Sequence, residues 1–187
     1  MKRIAIFASG SGTNAQRIIE YFALNKNVVV DSLWSNREDA YALIRAEKLG
    51  VETFTFDRDT FYHSNDIVEA LDERKVDLIV LAGFLWLVPP FLTELFPIIN
   101  IHPALLPKYG GKGMYGSHVH EAVVAHHEKV SGITIHRVNK RYDAGDIIFQ
   151  AECAIAPGDT PDDVAAKVHE LEYEHYPRVI EEVLNEL

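Results

Sequence analysis

From residue 3 to residue 102 the chain alternates short, nearly unbroken apolar runs with segments whose apolar residues recur at helical spacing. Leu78-Ile79-Val80-Leu81 is the clearest such run. It lacks the in-out alternation of a strand with one wet face, so it suits a strand covered on both sides. Similar runs occupy residues 3–8, 28–34 and 51–56, the last short enough for a sheet edge. Between them, Ala15, Ile18, Ile19 and Phe22 mark one helix, residues 39–49 a second closed by Gly50, and Ile67, Val68 and Leu71 a third ended by Lys75. Residues 90–95 add a short helix before the run Ile98, Ile99, Ile101, which Pro103 stops. This order predicts an α/β fold: a doubly wound, mostly parallel sheet with helices on both faces.

The second part changes style. Residues 118–127 read as a helix, and 131–139 and 146–155 as strands separated only by residues 140–145. So short a connection forces an antiparallel pair onto the parallel sheet. Thr160-Pro161-Asp162-Asp163 is a helix start, with a capping hydroxyl, Pro in the first turn and acids against the dipole. The helix is expected to run to about Leu184. At 187 residues, with no linker or repeat, the chain is expected to form a single domain, 1–187.

Charge and cysteine content narrow the class of function. A formal net charge of −10 opposes a broad grip on nucleic acid or an anionic membrane. The apolar stretch 78–92 is too short to span a bilayer and contains Pro89-Pro90. The apolar run after Met1-Lys2-Arg3 ends at Ser9-Gly10, so no signal peptide is read there. With one cysteine, Cys153, no internal disulfide can form, which fits a cytoplasmic protein. Small-molecule substrates are expected, with no nucleic acid or membrane partner, in a monomer or homodimer.

Four stretches carry candidate chemistry. Ser9-Gly10-Ser11-Gly12-Thr13-Asn14 joins the first strand to the first helix, where glycines allow a sharp turn and free amides bind an anion. With Ala15 the spacing also meets the loose dinucleotide pattern. The second strand, however, ends on Ser35-Asn36-Arg37 rather than on an acid for a ribose, which favours a phosphomonoester. Asn100 and His102, two apart in an extended chain, project from one side at a strand end. An amide donor beside a ring that carries a proton suits a reaction in which an oxyanion forms while protons move between nitrogens. In Arg141-Tyr142-Asp143-Ala144-Gly145-Asp146 a carboxylate could reach His102 and raise its pKa; spacing leaves Asp143 and Asp146 equally eligible. Glu172 falls on or beside the apolar stripe of Val168, Tyr176 and Val179, with His169 on that side, so it needs a partner. Among the histidines, His118-x-His120 lacks helical zinc spacing and no Cys or Glu pattern completes it, so no metal is expected. Leu85, Trp86, Leu87 and Val88 read as core whose tip could wall a flat ligand.

Together with Leu81-Ala82-Gly83-Phe84, residues 100–107, Gly132-Ile133-Thr134-Ile135-His136 and Asp143-Ala144-Gly145, these stretches resemble the glycinamide ribonucleotide formyltransferase family of folate-dependent enzymes over nearly the whole chain. The block Asn100-Ile101-His102-Pro103 with a later Asp-x-Gly is shared with other formyl-folate-using domains, whose extra domains this chain has no room for. The resemblance implies a Rossmann-like formyltransferase domain with a nucleotide-binding-like half, 1–100, and a catalytic and folate half, 101–187. It implies transfer of the formyl group of 10-formyltetrahydrofolate to the amine of 5-phosphoribosylglycinamide in purine synthesis. Asn100, a protonated His102 and Asp143 would be catalytic. Ser11, Gly12, Thr13, Asn14, His169 and Glu172 would hold the ribonucleotide. Leu85, Trp86, Leu87, Val88, Arg141 and Tyr142 would hold the folate. Two departures stand out: Trp86 where many members have Arg, and a longer, glycine-richer loop at 110–117 beside His118 and His120. The competing readings are a formyltransferase for another amine, such as a sugar nucleotide, and a dinucleotide-binding module.

Overall fold

The computed structural model describes residues 1–187. The strands are β1 (Lys2–Phe7), β2 (Val28–Ser35), β3 (Glu52–Thr55), β4 (Leu78–Leu81), β5 (Ile98–His102), β6 (Val130–Arg137) and β7 (Ile147–Ala154). They form one sheet in the order β3-β2-β1-β4-β5-β6-β7. The first five are parallel, and β6 runs antiparallel to both β5 and β7. The expected architecture is therefore present, with β3 at one edge. The strand order reverses between β1 and β4, so the loops leaving those two strands border a crevice at their carboxyl ends.

The helices are α1 (Thr13–Phe22), α2 (Tyr41–Lys48), α3 (Arg58–His63), α4 (Asp66–Glu73), α5 (Pro90–Leu95), α6 (Ser117–Ala125) and α7 (Pro161–Glu186). They cover both faces because β1 and β4 are apolar on both. Ile4, Ile6 and Val80 pack toward Ile18, Val168 and Tyr176 of α1 and α7, while Phe7, Ile79 and Leu81 pack toward Phe61, Leu71 and Leu92 of α3, α4 and α5. Each fully buried Ile or Leu in these layers is worth about 2 kcal/mol.

Several elements differ from the sequence reading. Helix α3 was not expected: its six residues, RDTFYH, show no apolar stripe, and it is held by Asp57, whose Oδ1 accepts from Thr60 N at 2.8 Å, and by buried Phe61. Helix α2 starts at Tyr41 rather than residue 39, because Asp39 turns back to pair with Arg37 at 3.0 Å. Helix α6 ends at Ala125, and His127 adopts a left-handed φ of 53°. At the other end of the chain Thr160 and Asp163 form a reciprocal capping box, and α7 continues through Pro177 to Glu186.

Gly12 has φ 76°, and a Cβ there would lie 2.5 Å from Ala42 Cβ. Its glycine is thus required by the seating of α2 against the loop. Gly12→Val is expected to destabilise the protein by about 3 kcal/mol through backbone strain and overpacking. Thermal unfolding checks this, and a Tm equal to the parent's would refute it.

Candidate active site

Two loops meet across the crevice. Ser9 N donates to Gly83 O at 3.0 Å, and Leu85 N donates to Ser9 Oγ at 3.0 Å. The glycine-rich loop after β1 is thereby tied to the turn after β4. Thr13 and Asn14 open α1, whose first turn holds no acid and whose N-terminus has no side-chain cap. Ser11 is exposed, and its carbonyl accepts from Arg45 Nε at 2.7 Å.

At the end of the neighbouring strand, Asn100 and His102 lie on one face of β5, and β6 pairs Asn100 with His136 and His102 with Thr134. The cluster's geometry assigns its protons. His136 Nδ1 donates to Arg137 O at 2.9 Å, so in the neutral ring Nε2 accepts, and Asn100 Nδ2 lies 3.2 Å from it. The amide is thus oriented with one N–H on His136 and one left over. His102 Nε2 donates to Tyr109 O at 2.7 Å, and its Nδ1 lies 3.5 Å from Asp143 Oδ2. The other carboxylate oxygen of Asp143 is 3.5 Å from His136 Nε2, and Oδ2 also accepts from Gly111 N at 3.0 Å. Asp143 therefore lies between the two rings, while Asp146 contributes its backbone carbonyl to Arg137. That resolves the choice which spacing left open.

The electrostatics correct one expectation. Burial pushes the His102 pKa down, and the opposing pull of Asp143 and the Tyr109 carbonyl does not restore it, so the resting ring is neutral at neutral pH. The sequence reading counted the carboxylate and missed the desolvation: His102 is 3% exposed. For Asp143 burial acts upward, but the neighbouring His136 and His102 rings and the Gly111 amide outweigh it and hold the carboxyl below its usual range. Tyr109 and Asp143 both sit at positive φ, 56° and 51°. Such non-glycine residues cost about 1 kcal/mol or more each and cluster at functional sites. A Cβ at Gly145 would collide with Arg137 O, so the turn carrying Asp143 packs directly on the end of β6.

Glu172 is 7% exposed, and its partner is a residue rather than a cation: Asn14 Nδ2 donates to Oε2 at 2.9 Å. That bond joins α7 to the glycine-rich loop. His169, on the same helix, is exposed and shares no hydrogen bond with Glu172. Burial raises the Glu172 pKa, with Asn14 opposing it. A carboxyl raised in the fold stabilises fully only below its unfolded pKa and loses that contribution as pH rises. Glu172→Gln, which can still accept from Asn14, is therefore expected to keep or raise Tm at pH 7. If this oxygen also meets ligand hydroxyls, the same change should weaken ribonucleotide binding about tenfold. Calorimetry and binding on one sample separate the two effects, and a lowered Tm with normal binding would make Glu172 structural.

The remaining candidates divide. Val88 is buried, Trp86 and Leu87 are half-buried, and Leu85 is 39% exposed, so the core reading holds for one end of that segment only. Trp86 packs in a tilted arrangement at ring-centroid distances of 5.8 Å from Phe61 and 6.1 Å from Tyr62, while Arg58 lies 5.3 Å above its ring. Tyr62 O–H donates to Leu87 O at 2.8 Å. Arg141 and Tyr142 are exposed, and Arg141 lines a polar groove of about 350 Å³ with Asn139, Lys140 and Ala144. Sequence reasoning gave no role to His136, Arg58 or Tyr62. For His136 the signal was there: Thr134 and His136 interrupt an apolar strand at the same two-residue spacing as Asn100 and His102.

The formyl transferase family model matches residues 2–180. A phosphoribosylglycinamide formyltransferase of Haemophilus influenzae is 38% identical over 189 residues, 96% of this chain and 86% of that protein. A chloroplastic protein of the same name from Arabidopsis thaliana is 37% identical over 195 residues, and the match spans 99% of this chain but only 66% of the relative. Among solved structures, the phosphoribosylglycinamide formyltransferase of Streptococcus pneumoniae superposes with a TM-score of 0.85 at 37% identity, covering 98% of this chain and 99% of that one. Glycinamide ribonucleotide transformylase 1 of Symbiobacterium toebii gives 0.86 at 36% identity, over 96% and 86%. With one family model running almost from end to end, and solved folds that cover 96–98% of the chain, the chain belongs to the formyl transferase family.

Proposed function

We propose that this chain is a phosphoribosylglycinamide formyltransferase that takes the formyl group from 10-formyltetrahydrofolate, acting in purine synthesis. The observation that carries the reading is that the glycine-rich loop and the Asn100–His136–Asp143–His102 cluster open on the same crevice, one suited to a phosphate and the other to an oxyanion. The acceptor's phosphate lies on the amides of Ser11 to Asn14, its ribose toward Glu172 and His169, and its amine at Asn100. The folate lies along Leu85 to Val88 and the loop bearing Arg141 and Tyr142, where backbone groups and the face of Trp86 suit a flat heteroaromatic donor. Residues 1–187 act as one unit, with 1–100 supplying most of the nucleotide side and 101–187 the acid–base groups.

The neutral amine attacks the formyl carbon, and the carbonyl oxygen becomes an oxyanion. The free N–H of Asn100 donates to that oxygen, an interaction worth about 3–4 kcal/mol in such sites. His102 is neutral at rest because it is buried, and the new negative charge beside it draws a proton onto the ring, with Asp143 facing the imidazolium. The attacking nitrogen loses one proton and the departing folate nitrogen gains one, so His102 ends as it began. The family resemblance supplies the donor. The free Cys153 and the lack of any helix long and apolar enough to cross a membrane support placing the reaction in the cytoplasm. Sedimentation distinguishes the monomer and homodimer that the sequence allows.

Incubating the protein with 10-formyltetrahydrofolate and phosphoribosylglycinamide should release tetrahydrofolate only when both are present. Turnover with another amine but not with this one would change the acceptor and keep the mechanism. No turnover with any amine would remove the proposal.

A further inference from the structure

His120 takes no part in the chemistry described above, yet it is 3% exposed on the side of α6 that packs against α7. Its Nδ1 is fully buried without a hydrogen-bond partner. The other ring nitrogen, Nε2, also meets no protein group but is not sealed from solvent. The ring lies 6.4 Å from that of His169, which in turn lies 6.1 Å from the ring of Tyr173, over which Arg17 of α1 sits at 5.1 Å. His120 therefore stands beside the stretch of α7 that carries His169 and Glu172.

The proton on such a ring has one economical place. A buried N–H with no acceptor is worse than a buried lone pair, so Nδ1 is bare and Nε2 carries the hydrogen toward the open side. Burial and the two neighbouring imidazoles push the pKa down to about 4, which keeps the ring neutral. Mere filling does not explain the residue. Val119 and Val123 already anchor α6 in an apolar cluster, and a Phe or Leu would fill the space without stranding two nitrogens.

We propose that His120 is a substrate-positioning residue whose Nε2–H donates to an uncharged oxygen of the acceptor, in the segment between its phosphate and its reacting amine. This rests on the acceptor placement given under the proposed function. The phosphate end on the Ser11 to Asn14 loop and the amine end at Asn100 leave the ribose and amide oxygens to pass His120. A neutral donor suits such an oxygen, because it orients the ligand without adding charge beside His102.

The test uses two variants. His120→Phe keeps the ring and removes the N–H, whereas His120→Gln keeps an N–H at a similar reach. His120→Phe should raise KM for phosphoribosylglycinamide about 10- to 100-fold, with a smaller change in kcat. KM for 10-formyltetrahydrofolate should stay within about twofold, Tm should be equal or higher, and His120→Gln should recover most of the loss. An acceptor KM unchanged in His120→Phe, or equal losses for both substrates with a lowered Tm, would overturn the proposal. A second readout is independent of turnover. In the parent protein carrying ¹⁵N-labelled histidine, phosphoribosylglycinamide should shift the His120 Nε2 resonance. A shift without turnover would keep the contact and reject the assigned reaction. Turnover without a shift would reject the contact and keep the reaction, and neither would reject both.

Discussion

Asn100→Ala is expected to lower kcat by about 10²–10³, with a much smaller change in KM for either substrate. The reason lies in how the amide is held. One N–H is fixed on His136 Nε2 at 3.2 Å, and His136 is itself fixed through Nδ1 on the Arg137 carbonyl at 2.9 Å. The second N–H is thus oriented before substrate arrives, which is what makes a donor effective toward an oxyanion. His102→Ala should cost a similar factor by removing the proton carrier. Because both side chains serve one intermediate, the double variant should lose less than the product of the single losses. Single-turnover kinetics at saturating substrates measures this directly. Independent, multiplying losses would mean the two groups act in different steps. His136→Ala provides a further check, since it leaves Asn100 in place but unheld. A loss of kcat smaller than that of Asn100→Ala, with KM little changed, is the result expected of a positioning group.

Much of this architecture could be read before any coordinates, for identifiable physical reasons. The parallel half is legible because β1 and β4 are apolar on both faces, and only a sheet covered on both sides hides such runs. Asn100 and His102 were legible because a proline ends their strand and their spacing puts them on one side. Helix α3 was not, since it is a single capped turn and a half whose stability comes from Phe61 inserting among Phe56, Phe84 and Trp86. That is tertiary packing, which local pattern does not carry. The last helix was expected to run to about Leu184, and α7 does pass Pro177, because Tyr176, Val179, Ile180 and Val183 bury one continuous stripe and Tyr176 O–H donates to Leu81 O at 2.8 Å. The partner of Glu172 lies 158 residues away in sequence, at Asn14. The net pKa shift of His102 was illegible for a different reason. Spacing shows which charges are near, but not how much water has left, and here desolvation outweighs the carboxylate.

That balance makes Asp143→Asn the sharpest test of the acid–base assignment. Asparagine tolerates the left-handed φ of 51° and can still accept from Gly111 N, so the turn should survive where alanine would strain it. What disappears is the negative charge 3.5 Å from His102 Nδ1, the chief influence holding the ring's pKa up against burial. The His102 pKa, already below its ordinary value, should fall further, and the imidazolium will form less readily at every pH above it. The limb of the pH–rate profile on which activity falls as the ring deprotonates should therefore move to lower pH. Each unit of that movement costs about tenfold in rate at pH 7. Stability should respond with the opposite bias. The parent's ionised Asp143 is held below the usual carboxylate range, so its contribution is full above the unfolded pKa and is lost as pH falls through the folded one. The variant lacks that acid-sensitive contribution, and its Tm should depend less on pH below about 4. A pH–rate profile identical to the parent's, with both substrates still bound, would remove the carboxylate from the proton path. His136 would then be the only polar side chain holding the Asn100 amide in place.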